Sequence, residues 1–120
     1  MDDFNDFYWH DAEIKAINID RHCPGKKDEI QFKILFPDKN EVVNLIFEEV
    51  YYSSFTLNFG IIADETVKHG SILENDDDLS ALYSKWKGCL NHIKLYVYLI
   101  ELNSSGSKIK IIAKKIRVEE

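Results

Sequence analysis

A chain of 120 residues, 45% hydrophobic and 30% charged, is sized for one domain that buries a core, which excludes a fibre or a disordered tail. Its apolar runs are only a few residues long, so none can cross a bilayer as a helix. The net charge of −6 is uneven, with 12 acids against 6 bases in residues 1–60 and 9 against 9 in residues 61–120; such a balance repels nucleic acid phosphates and attracts basic partners.

In chain order, the opening "MDDFND" is acidic where a secretory signal would be basic and then apolar, which points to a cytoplasmic protein. Ala12 and Ile14, then Ile17 and Ile19, alternate as a strand does, with a slip of parity near Lys15-Ala16 that a β-bulge would produce. "CPGKKD" (Cys23 to Asp28) is a turn, because proline presets one dihedral and glycine tolerates positive φ. Ile30, Phe32, Ile34 and Phe36 form the second strand, and Pro37 to Asn40 turn the chain again. Val43, Leu45 and Phe47 make a third strand, and Phe55, Leu57, Phe59 and Ile61 a fourth. These four are expected to run as a meander, each with one wet face. A short helical turn is expected from Asp64 to Gly70. Leu79, Leu82, Tyr83, Trp86 and Leu90 then recur at three and four, predicting the main helix at about 76–88, capped by Asn75 or Asp76. The stretches 92–102 and 108–118 close the chain as a hairpin around Asn103 to Ser107. The first of these is apolar on both faces, as a central strand with a helix over one side would be. The second slips parity between Ile111 and Ile116. The whole reads as one α+β domain, residues 1–120, with about six mainly antiparallel strands and one main helix.

No motif in the chain specifies a reaction. His10-Asp11 is an acid–base pair by composition, and with a polar pocket near Asn58 it would be the centre of a small enzyme. In an extended strand, however, neighbouring side chains point to opposite faces, so adjacency supplies neither a chelate nor a dyad. The structural alternative is that Trp9 packs at the sheet edge while His10 and Asp11 bond nearby backbone. His22, His69 and His92 stand singly, and no calcium loop completes "ENDDD" (Glu74 to Asp78), which helix capping explains. No catalytic residue, cofactor or metal is expected. Cys23 and Cys89 lack the spacing of a redox pair and are expected to pack as small apolar residues. The last hairpin carries Lys94, Tyr96, Tyr98, Lys108, Lys110, Lys114, Lys115 and Arg117. That composition suits either an RNA-stacking or self-assembly surface or a solvated lysine face; the acidic total favours the latter.

"YWHDAEIKAINIDR", "LIFEEVYYSSFTLNFG" and "SSGSKIKIIAKKIRV" together resemble a group of small bacterial domains that includes uncharacterised proteins and predicted immunity proteins of contact-dependent and polymorphic toxin systems. The resemblance runs along most of the chain as a texture of strands and transfers no functional residue. It implies a non-enzymatic, protein-binding role: blocking a cognate, basic toxin domain in the cytoplasm. A partner surface built from Trp9, Tyr51 and Tyr52 with Asp76, Asp77 and Asp78 follows from the chemistry of interfaces, where aromatics anchor and acids steer. The competing reading places the aromatics in the core or at the sheet edge.

Overall fold

The structure is a computed structural model and describes residues 4–90, 92–103 and 105–119. Six strands form one sheet: β1 (Glu13–Asp20), β2 (Glu29–Leu35), β3 (Val42–Thr56), β4 (Val67–Leu73), β5 (Tyr96–Leu102) and β6 (Lys108–Glu119). A 3-10 turn, Phe4–Asp6, precedes them, and one α-helix, α1 (Asp77–Lys85), lies between β4 and β5. The spatial order is β1-β2-β3-β6-β5-β4, every neighbouring pair antiparallel. The α+β class, the strand total and the single main helix match the sequence reading.

Two stretches differ from it. The meander has three strands, because the chain leaves the sheet after Thr56 instead of starting a fourth strand at Phe55. The amide of Asn58 donates to Ser107 Oγ at 3.0 Å and its side chain donates to the Ser105 carbonyl at 2.8 Å, tethering the segment to the last hairpin. Gly60 then takes φ +90°, which no strand residue adopts. The second difference is the expected turn of helix from Asp64 to Gly70. That region enters β4, an edge strand paired to β5. The chain therefore reaches the far edge of the sheet before β5 and β6 fill the gap behind it.

Register breaks at Ile14/Ala16 in β1, Val50/Tyr52 in β3 and Val67/His69 in β4 let the sheet curl. The first coincides with the parity slip at Lys15-Ala16. The slip in β6 falls opposite the β3 irregularity, where Phe47 and Val50, and across from them Ala113 and Ile116, all pack on the same core. Curling brings the two edges together at one end. Asp11 N donates to Val67 O at 2.9 Å, Val67 N to Ala12 O at 2.7 Å, and Ile14 N to Glu65 O at 2.9 Å. The result is a half-closed barrel.

Its concave face holds the main core. Ile30, Phe32 and Ile34 of β2, Leu45 and Phe47 of β3, and Ile109 and Ile111 of β6 all point there and are buried. The segment before β1 folds in as a plug. Phe4 packs at a tilt on Trp9 with centroids 4.5 Å apart, and the Trp9 indole N–H donates to the Phe4 carbonyl at 2.6 Å. Phe7 stacks on Phe36 at 4.9 Å. On the convex face α1 covers only the β5–β6 half, burying Leu82 with Val97 and Ile112. The other convex half, over β1 to β3, is mostly polar, with Asn18, Gln31, Lys33 and Glu48 around the buried Ile46. One face of the curled sheet is thus dry and the other only half covered.

Candidate partner-binding surface

Three local devices build an open cleft on the convex side. The turn between β1 and β2 is ordered by Asp28, whose carboxylate accepts from the Gly25 amide at 3.1 Å and from the Arg21 guanidinium at 3.0 Å. The Val50 amide donates to the Asp28 carbonyl at 3.0 Å, clamping that turn to β3. In β3, Glu49 takes the left-handed φ of +52°, and the register break that follows puts Tyr51 outside the ladder and against the helix cluster. At the far end of α1, Trp86 closes the last turn by donating its amide to Leu82 O at 3.1 Å and is 46% exposed. Tyr51 and Trp86 meet edge to face, centroids 6.3 Å apart and planes at 82°. With Arg21, Lys26, Asp28 and Glu49 they line a cleft of about 450 Å³. Two cations and two carboxylates in that lining balance each other.

Of the six residues expected at a partner surface, Tyr51 lines this cleft. Tyr52 lies beside it on the convex face, opposite Ile112, and is exposed. Trp9 is a correction: it is 5% exposed, seated against Phe4, Phe7 and Phe36, so it holds the core and presents nothing to a partner. The three aspartates sit at the start of α1, about 13 Å from Trp86 by the rise of a nine-residue helix. Asp76 caps the helix, accepting from the amides of Asp78 at 3.0 Å and Leu79 at 3.3 Å. Asp76 and Asp78 also hold the Lys110 ammonium at 2.8 and 2.9 Å. Burial works against ionisation of Asp76, but the bond from Lys110 and the amides of Leu79 and Asp78 outweigh it and lower its pKa. The bonds to Asp76 and Asp78 raise that of Lys110. Asp77 is exposed and ready to act on an approaching charge.

Trp86 is the surface residue that sequence periodicity misplaced. It continues the apolar stripe of α1, but the helix ends at Lys85 and the ring turns outward. The aromatic followed by "KGC" was the available signal, since left-handed Lys87 and Gly88 terminate the helix there.

The alternative centres come apart. His10 and Asp11 lie in a turn before β1, not in a strand; Asp11 has φ +65°, so the two side chains meet, with Nδ1 3.2 Å from Oδ2. Both are mostly exposed, and Asn58 lines a different depression, formed with Ile14, Ile17 and Phe59. Among the described residues, no three His, Cys, Asp or Glu side chains are grouped to hold a metal ion. In the last hairpin Tyr98 is buried in the core, while Arg117 is engaged by Glu48 at 3.4 Å and by Glu119 at 2.5 Å. Lys110 is committed to α1, while Lys94, Tyr96, Lys108, Lys114 and Lys115 of the same hairpin stay exposed. Cys23 and Cys89 are both exposed, contrary to their expected packing role. Ser104, in the loop of that hairpin, lies outside the described residues.

No protein-family model matches the sequence, and no curated protein matches it. Among the described residues, no helix is long and apolar enough to cross a membrane.

Proposed function

We propose that this chain is a protein-binding module without chemistry of its own, a cytoplasmic immunity-type protein that neutralises a basic toxin domain by occluding it. The observation that carries the binding half of this reading is the convergence of Arg21, Tyr51 and Trp86 in one open cleft. Tryptophan, tyrosine and arginine are the residues most enriched among those that dominate interface energies, and they do so from concave, desolvated positions. A cationic side chain from the partner would lie against the exposed indole face and find the half-exposed Glu49 carboxylate within the same cleft. The overall charge of −6 would speed the encounter with a basic partner, and Asp77 adds to that field. The toxin-specific half rests on the sequence resemblance.

Co-expression with a basic toxin domain encoded beside this chain's gene tests the reading. Protection of the cells and a complex that co-purifies are expected, and Trp86→Ala should weaken that complex about tenfold or more with the melting temperature kept. Neither protection nor a complex would overturn it.

A further inference from the structure

A cluster of exposed apolar side chains lies outside every strand and helix. Phe59 is 87% exposed, Ile62 is fully exposed and Ile61 about half, all within the segment that joins β3 to β4. Scattered apolar residues on a surface need no explanation, but a cluster beside an apolar groove does. At the base of this segment Ile14, Ile17, Leu57 and Leu102 line a groove of about 230 Å³ with Phe59 on its rim. The groove opens where the seam between the sheet edges stops. Up to Ile14 the edge of β1 is covered, by the bridge from Glu13 to Thr66 and the bond from Ile14 N to Glu65 O. Past the bulge at Lys15, the stretch from Ala16 to Asp20 pairs with β2 on one side only, and among the described residues no strand takes its outer side. An unpaired strand edge beside an apolar groove is the geometry of β-strand addition, in which backbone bonds give affinity and a pocket for alternate side chains gives selectivity.

We infer that the free edge of β1 and the groove beside it accept an extended polypeptide segment carrying one large apolar side chain flanked by basic residues. The apolar side chain enters between Ile17 and Leu57, and Phe59 folds over it. The charges around the groove select the flanks. Lys15 and Glu65 are the charged residues of the lining, and Lys15 is already held by Glu13 at 3.4 Å, so carboxylates outnumber ammonium groups there two to one. That surplus of carboxylates disfavours an anionic lipid surface. It also disfavours a second copy of the chain, which would bring the same acids together, and it matches a partner whose strand carries lysine or arginine.

The inference rests on the reading that the chain binds protein, but its test needs no toxin, so the two can fail separately. The probe is a capped peptide of sequence KIFIK, titrated into the full chain and followed by backbone amide NMR shifts, with EIFIE as control. KIFIK should shift the amides of Ala16 to Asp20 and slow their hydrogen exchange. Phe59→Ser, at an exposed position, and Glu65→Gln, which keeps an acceptor for Ser105 Oγ, should each weaken it by up to about tenfold. EIFIE should bind more weakly than KIFIK. Absence of these shifts at millimolar peptide would overturn the inference. So would equal binding of EIFIE, or shifts at these residues that appear on concentrating the protein alone, or shifts there only with anionic vesicles.

Discussion

A Cβ placed on Gly70 would lie 2.8 Å from Cδ2 and 2.9 Å from Cγ of Trp9, closer than side-chain carbons pack. The glycine in β4 is therefore set by the approach of the indole, not by its own backbone angles. Trp9 cannot easily yield, because its N–H is bonded to the Phe4 carbonyl and its ring is held by Phe4, Phe7 and Phe36. Gly70→Ala should then cost about 1–3 kcal/mol, the usual range for overpacking a core. Urea unfolding measures the loss, and Trp9 fluorescence, read in a Trp86→Phe background, should shift to the red as the ring is pushed toward water. Unchanged stability would mean the plug formed by the first residues is soft. The same contact explains why Trp9 was misjudged from sequence. Beside His10 and Asp11 it looks like a surface aromatic, and nothing local announces that a glycine about sixty positions later makes room for it.

At the scale of elements, α1 is short, and nine residues do not form a stable helix alone. It is held by Leu82 and its neighbours on the convex face, by Tyr83 Oη donating to Ile93 O at 2.8 Å, and by the link from Asp76 and Asp78 to Lys110 of β6. Asp76 titrates below its usual value and Lys110 above its own. A lowered carboxylate contributes stability above its unfolded pKa, near 4, and loses it as pH falls through the folded value. A raised lysine contributes below its unfolded pKa, near 10.4, and loses it as pH rises through the folded value. Between those limits the link should be at full strength. Asp76→Asn keeps a capping oxygen and removes the charge, so it should cost about 1 kcal/mol near neutral pH. In paired unfolding titrations the gap to the parent should start to narrow below about pH 4 and close once the pH is under the lowered folded value. A gap that ignores pH would leave capping as the whole role of Asp76. This helix was legible in the sequence because its stripe, its cap and its terminating glycine agree. The strand expected from Phe55 to Ile61 was not, because strict alternation arises equally in a strand and in a tethered segment whose Phe59 and Ile61 face solvent. β4 was missed for the opposite reason: "VKHGSIL" shows little alternation, since its burial depends on the plug lying across Gly70.

For the molecule as a whole, the step that no local pattern encodes is closure. The seam between the edge strands is made by the amides of Asp11, Ile14 and Val67, while Asn103 ties in the end of β5, its amide donating to Thr66 O at 2.9 Å. The Asn103 side chain adds bonds to Thr66 Oγ1 at 3.3 Å and Val67 O at 3.2 Å. The seam lies at one end of the barrel, between the edge strands β1 and β4, which each have a single full-length neighbour, whereas β3 and β6 sit inside the sheet with partners on both sides. Opening the seam exposes Ala12 and Val67 but leaves the ladders of β2, β3 and β6 intact, so it should cost less than global unfolding. Native-state hydrogen exchange should therefore find the Asp11, Ile14 and Val67 amides opening together, at lower free energy than the amides of Phe47 or Ile111. Asn103→Ala removes two side-chain bonds and should lower protection of the seam by about 1 kcal/mol, leaving β3 and β6 nearly unchanged relative to global stability. If seam and interior amides exchanged with one common free energy before and after that change, closure would be part of the cooperative core. The edge of β1 would then be a rigid rim, not the margin of a gap that can widen for an incoming strand.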